Sequence, residues 1–158
     1  MLKPPSELGL IRIDLEFPIA APRERVWQAL VVETGRWWRK DFYMGHPVQP
    51  IVFEARPGGR LYEDWGNGGG LLWYTVLAIE PPAALDLVGH LTPAFGGPAS
   101  SMLRLCLKEA GPATTLLQLS DSVFGRVGDD SAARLREGWQ LLFGEGLKPY
   151  VEHGQAVA

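Results

Sequence analysis

The chain has 158 residues, a length at which a folded domain buries roughly two-thirds of the surface its unfolded chain exposes. A hydrophobic content of 46%, a charged content of 21% and a net charge of -3 are globular values and give no electrostatic ground for nucleic acid or an anionic membrane as partner. The lone cysteine, Cys106, excludes an intrachain disulfide and with it a secreted, stapled scaffold, so a reducing cytoplasm is the expected compartment.

From Met1 to Ser6 the sequence lacks the apolar stretch of a signal peptide. No later run approaches the ~18 apolar residues of a membrane span, so no membrane insertion is expected. Ile11-Arg12-Ile13-Asp14-Leu15-Glu16-Phe17 alternates apolar and polar, which predicts a strand with one face on a core and the other in water. Pro18 and Pro22 end that strand, and Pro22 suits the first position of a short helix whose Val26, Trp27, Ala29 and Leu30 face inward. A second short helical stretch is expected over Thr34 to Lys40, carrying Trp37 and Trp38.

Turn signals then recur at short intervals: Pro57-Gly58-Gly59, Gly66-Asn67-Gly68-Gly69-Gly70, Pro81-Pro82, Gly96-Gly97-Pro98 and Gly111-Pro112. They separate strand-length segments at Val48 to Arg56, Arg60 to Trp65, Leu71 to Glu80, Leu85 to His90, Ser100 to Glu109 and Thr114 to Val123. With the first strand these make about seven in an antiparallel meander. Finally, Leu135, Trp139, Leu142, Phe143, Leu147, Tyr150 and Val151 recur at spacings of three and four, which predicts a long helix from Ser131 to Glu152 with one apolar face. Asp129 and Asp130 at its start and Lys148 near its end complement the helix dipole.

A sheet this large facing one principal helix must curl, and the curl leaves interior volume that either side chains or a ligand must fill. Six Trp, six Phe and four Tyr are available for either purpose.

Several segments together carry a family resemblance. They are Ala21-Pro22-Arg23-Glu24-Arg25-Val26-Trp27-Gln28-Ala29-Leu30, Arg36-Trp37-Trp38, Phe53-Glu54-Ala55-Arg56-Pro57-Gly58-Gly59-Arg60, Gly70 through Pro81, Thr114-Thr115-Leu116 and Glu137-Gly138-Trp139. In this order the chain resembles the START-like, or SRPBCC, superfamily, in the branch named after activators of the heat-shock-protein-90 ATPase. The resemblance covers about residues 10–153 of what is read as one domain, 1–158. It implies the α+β helix-grip fold of the birch-pollen-allergen type: a seven-stranded curved antiparallel sheet around a long C-terminal helix, two short helices after the first strand, and a deep hydrophobic cavity. Members bind lipids, polyketides, hormones or other apolar small molecules, and some are cyclases or related enzymes. The superfamily shares no catalytic set, so no catalytic residue is carried over.

The glycine run at 66–70 invites a phosphate-loop reading, but the spacing fails at Leu71 and no Gly-Lys-Ser/Thr follows, so a hairpin turn is expected. In the helix-grip fold such a loop is a candidate gate at the cavity mouth. His46, His90 and His153 are far apart and show no ligand spacing with Cys106 or a carboxylate, so no metal and no cofactor is expected. His90, ending a strand, is a candidate proton carrier. Glu54, Tyr62, Glu63, Asp64 and Asp86 lie on strands. Any of the carboxylates facing an apolar cavity would have a raised pKa and suit acid–base work, and the alternative is a solvated sheet face. Arg60 is a candidate partner for such a group or for a ligand carboxylate.

Arg36-Trp37-Trp38-Arg39-Lys40 has the basic–aromatic make-up of single-strand binding, yet on an acidic chain it is read as Trp37 or Trp38 capping the cavity while the charges stay wet. Gly138, Gly144 and Gly146 interrupt the last helix at about 1 kcal/mol each relative to alanine, which suggests room for a ligand or close approach of the sheet. The expected function is binding of a small, largely apolar molecule lined by Trp37, Trp38, Phe53, Tyr62, Trp65, Trp73, Phe124, Trp139 and Phe143. A cyclase, dehydratase or hydrolase working inside the cavity, and a protein-interaction or co-chaperone module, remain as alternatives. A homodimer through an edge strand or the small helices is compatible with the sequence but not specified by it.

Overall fold

The computed structural model describes residues 8–128 and 130–154. β1 (Leu8–Ile19) follows the alternation of its sequence, burying Ile13, Leu15, Phe17 and Ile19 and leaving the residues between them wet. It pairs antiparallel along its length with β7 (Thr114–Arg126), from Leu8↔Arg126 to Ile19↔Thr115. Between them lie β2 (Val52–Phe53), β3 (Arg60–Gly66), β4 (Gly69–Glu80), β5 (Ala84–Leu91) and β6 (Ala99–Gly111). The resulting seven-stranded antiparallel sheet has the order β1-β7-β6-β5-β4-β3-β2, a meander onto whose last strand the first is added.

Two segments differ from the sequence expectation. Of the strand expected over Val48 to Arg56, only Val52 and Phe53 pair in the ladder, because Pro47, Pro50 and Pro57 bring no N–H and fix φ around it. After α1 (Arg23–Val31), the second helix is the single turn α2 (Thr34–Trp37), and Trp38 is already extended at φ -61°, ψ 122°. Adjacent residues on one helix point about 100° apart. Breaking the helix between Trp37 and Trp38 lets both rings turn inward, where they are 1% and 5% exposed. The glycine run is a β3–β4 hairpin whose two loop residues, Asn67 and Gly68, take φ 54° and 83°, the backbone that such tight hairpins require.

The C-terminal helix is built from α3 (Ser131–Leu142), a π-helical turn at Phe143–Leu147 and α4 (Lys148–His153). Asp130 occupies the N-cap of α3 without a side-chain cap bond, and Ser131 Oγ accepts from Gly128 N at 2.7 Å instead. Asp129, read as part of the same acidic start, lies outside the described residues. No helix among the described residues is long and apolar enough to cross a membrane.

The far end of this helix is clamped. Glu152 accepts from Ala20 N at 2.7 Å, and Lys148 Nζ donates to the Pro18 carbonyl. Arg25 forks onto Glu33 at 2.6 and 3.2 Å, the Tyr150 hydroxyl donates to the same carboxylate, and the Arg25 guanidinium lies 5.7 Å above the Tyr150 ring. Gly146 makes the approach possible, since a Cβ there would stand 2.9 Å from the Trp37 carbonyl oxygen.

Gly146→Ala is therefore expected to lower the thermal midpoint even though alanine gains about 1 kcal/mol in helix propensity; a raised midpoint would show that α2 yields freely. The Arg25 hydrogen bond holds Glu33 below its usual pKa of 4.5 against the opposing effect of burial, with the Tyr150 hydroxyl assisting. A depressed carboxyl stabilises the fold above its unfolded pKa and loses that contribution as pH falls through the folded value. Urea midpoints of the wild type and Glu33→Gln should accordingly differ most near neutrality and converge on acidification below about pH 4.5; curves that stay parallel would rule the clamp out.

Candidate functional site

Aromatic side chains fill only one end of the space between sheet and helix. Phe17 meets Phe143 at 6.0 Å, Phe143 meets Trp37 at 5.8 Å, Trp37 meets Trp38 at 5.9 Å, and Trp38 meets Trp73 edge-on at 5.3 Å. Of these rings Phe143, Trp37 and Trp38, with Leu30, Leu85, Leu103 and Leu105, enclose a residual void of about 20 Å³. Toward the start of α3 the filling stops, and a cavity of about 410 Å³ opens, within the usual range for small-molecule sites. Leu135, Gly138 and Trp139 of α3 form one wall. Leu71, Trp73 and Tyr74 of β4, Ser101 of β6, and Asp121 and Val123 of β7 form the other, while Met44, Leu91 and Phe95 are exposed at the rim.

Gly138 is the reason α3 can stand over a hollow without filling it. A Cβ built at this position meets nothing within 4 Å, so the glycine faces open space, in contrast to the tight approach at Gly146.

A buried polar cluster interrupts the apolar wall. Ser101 Oγ donates to Asp121 Oδ1 at 2.6 Å, Trp139 Nε1 donates to Asp121 Oδ2 at 2.9 Å, and the Tyr74 hydroxyl lies 2.9 Å from Ser101 Oγ. Register explains the meeting. Ser101 pairs with Val123 and Leu103 with Asp121, so Ser101 and Asp121 are diagonal neighbours on the inward face. Tyr74 reaches them by crossing β5 above Gly89, where a Cβ would come within 3.0 Å of the tyrosine ring. Asp121 is 1% exposed. Burial pushes its carboxyl above the usual range, opposed by the bonds from Ser101 and Trp139, and burial likewise pushes the Tyr74 hydroxyl upward.

A second buried carboxylate, Glu63, is used differently. Oε1 accepts from Trp65 Nε1 at 2.9 Å and Gly45 N at 3.3 Å, and Oε2 accepts from Trp73 Nε1 at 2.7 Å and Met44 N at 2.9 Å. Glu63 thereby fastens the loop at Met44 and Gly45 to β3 and β4 beside the cavity.

The nine residues expected to line a site fall into three groups. Trp73 and Trp139 line the cavity, and Trp37, Trp38, Phe53 and Phe143 surround the small void together with Trp139. Tyr62, Trp65 and Phe124 line neither: Tyr62 lies under the Arg60 guanidinium at 4.4 Å, Trp65 serves Glu63, and Phe124 is exposed one position beyond inward-facing Val123. The other carboxylates expected on strands have partners outside the cavity. Glu54 pairs with Arg60, Asp86 pairs with Arg104, and Asp64 accepts from Gly66 N. His90 borders the cavity, but its ring is bonded to Ser100 Oγ at 2.7 Å, and the glycines of the β3–β4 turn are not in the lining. Asp121, Ser101 and Tyr74 were missed by sequence reasoning. The available signal was Asp121 breaking the inward alternation of Leu117, Leu119 and Val123.

Because Asp121 has a raised pKa, the folded state holds its proton more tightly than the unfolded chain does. Its contribution to stability is full below the ordinary value of 3.8 and is lost as pH rises through the folded value. In urea titrations Asp121→Asn should gain on the wild type as pH is raised from about 4 to about 7; a constant difference would show that the carboxyl is not perturbed. Glu63→Gln turns an amide donor toward N–H donors and should cost about 1–3 kcal/mol, read as a lower urea midpoint at unchanged slope.

The chain's likeness to known proteins agrees with this architecture. The model of the family described as "Activator of Hsp90 ATPase homolog 1-like protein" matches residues 20–152. No curated protein sequence matches. Among solved structures, MLL2253 from Mesorhizobium loti is 22% identical with a TM-score of 0.65, over 92% of this chain and 99% of that one. CalU16 from Micromonospora echinospora is 19% identical with a TM-score of 0.64, over 96% of this chain and 86% of that one. DynU16, a protein in the dynemicin biosynthetic locus, is 24% identical with a TM-score of 0.65, over 92% of this chain but 48% of its own length, so this chain spans about half of that protein. At such identities the likeness establishes the fold. The extent of the family match, joined to a curved seven-stranded sheet gripping a C-terminal helix, shows that this chain belongs to the activator of Hsp90 ATPase homolog 1-like family of the SRPBCC superfamily.

Proposed function

We propose that this protein binds a small, largely apolar molecule in the cavity between α3 and the sheet. The observation that carries the reading is the unfilled space of about 410 Å³ facing Gly138, bounded mostly by apolar side chains with the Tyr74–Ser101–Asp121 cluster set in its wall. Burying ~300 Å² of apolar ligand surface is worth about 7 kcal/mol gross. Association entropy consumes much of that, so affinities of micromolar order follow. The presence of DynU16 in a biosynthetic locus supports a small molecule as the occupant.

Among the described residues, the polar groups in the wall favour holding over transforming. Both oxygens of Asp121 already accept a hydrogen bond, and the His90 ring is turned to Ser100. The Asp121 carboxylate is used first to join β6 and α3 to β7, which is the work of a group that holds a wall in place.

Uptake of Nile red, an uncharged apolar dye, tests the reading. The wild type should give saturable, blue-shifted emission. Gly138→Leu, which fills the cavity from a position with no neighbour to displace, should weaken uptake by at least about tenfold. The same change should leave the thermal midpoint equal or higher, since leucine outranks glycine as a helix former. Equal uptake by both proteins would remove the cavity as the binding site.

A further inference from the structure

We propose that the molecule bound in this cavity carries a hydrogen-bond donor, a hydroxyl or an amine on an apolar body, which docks on an acceptor-only surface formed by Tyr74, Ser101 and Asp121. The inference rests on the binding role proposed above and names the chemistry of the ligand.

It follows from counting hydrogens. Ser101 has one hydroxyl hydrogen and gives it to Asp121 Oδ1 at 2.6 Å. In the 2.9 Å contact between Tyr74 and Ser101, the donor must therefore be the Tyr74 hydroxyl. The single N–H of Trp139 goes to Asp121 Oδ2. With Asp121 ionised, every hydrogen of the cluster is spent inside it, in the chain Tyr74 to Ser101 to Asp121, with Trp139 closing the other side. What remains toward the cavity is lone pairs: those of the Tyr74 oxygen and those left on the Asp121 carboxylate.

Charge points the same way. No ion pair among the described residues involves Asp121, and the influences on its carboxyl are burial and the two donors already named, with no cation among them. A buried carboxylate with two donors and no counter-ion has unmet acceptor capacity, and a donor from the ligand supplies what the protein does not. Arg134, at the rim, is engaged by Asp130 at 2.7 Å. A ligand presenting only an ether, carbonyl or carboxylate to this surface would set lone pair against lone pair, and a carboxylate would add like-charge repulsion.

Matched biphenyl probes separate the possibilities by isothermal titration calorimetry: 4-phenylphenol as hydroxyl donor, biphenyl-4-methanamine as amine donor and 4-methoxybiphenyl as an acceptor of the same body. At least one donor probe should bind about tenfold or more tightly than the ether, and which of the two does so identifies the donor. In Asp121→Asn the charge is gone and the amide offers hydrogens, so the preference should shrink to within about threefold. Should that variant fail to fold, Ser101→Ala releases the Tyr74 hydroxyl toward the cavity and should strengthen ether binding relative to the phenol. Wild-type binding of ether and donors within about twofold, or a preference for the ether, overturns the inference while leaving the apolar site standing. Nile red uptake without binding of any donor probe also overturns it, and loss of Nile red uptake as well removes the binding role beneath it.

Discussion

Trp139 fixes how far the C-terminal helix stands from the sheet. Its ring stacks on Phe143 at 5.7 Å and tilts against Tyr74 at 6.3 Å, while its N–H is committed to Asp121 on β7. A rigid bicyclic side chain packed against two rings and bonded at its edge cannot be compressed, because packed interiors yield little. On one side of it the rings of Phe143, Trp37 and Trp38 close the interior. On the other nothing of comparable size projects from the helix, and Gly138, one residue earlier, projects nothing at all. The closed and hollow halves of the molecule meet at this residue.

Two carboxylates are buried near that junction, and their surroundings differ in how completely they are satisfied. Glu63 is met by two backbone N–H groups and two indole N–H groups, so its charge is spread over a full set of donors and fastens a loop. Asp121 receives one hydroxyl and one indole, faces a cavity, and is held above the ordinary carboxyl range by burial. A fully met anion is an anchor; a partly met one beside open space retains capacity for something that enters.

Periodicity carried most of the architecture, because the strands and the last helix each bury one face and repeat accordingly. Ile13, Leu15 and Phe17 in β1 and Trp139, Leu142 and Phe143 in the helix are where their spacing puts them. Local rules misled where prolines or paired tryptophans override propensity, as at Val48 to Arg56 and at Trp38. The site was less legible because it depends on register rather than on spacing within a segment. That Tyr74 reaches Ser101 over Gly89, and that Ser101 lies diagonal to Asp121, are facts about three strand pairings at once. Choosing aromatic residues for the lining captured shape at Trp73 and Trp139 but gave no way to separate rings that enclose a cavity from rings that fill a core.

A hollow forgoes the contacts that a filled core would make, so the fold must be secured elsewhere. The clamps described above lie away from it: Arg25, Glu33 and Tyr150 join α1 to α4, and Lys148 and Glu152 hold α4 to the end of β1. By contrast α3 buries no residue before Trp139, and its first turns border the cavity through Ser131, Arg134 and Leu135. Local opening costs least where few apolar contacts must be broken. The edge beside the first turns of α3, with Met44, Leu91 and Phe95 exposed at the rim, is therefore the part of the wall that yields most cheaply, and a molecule entering there leaves the clamped end of the helix undisturbed.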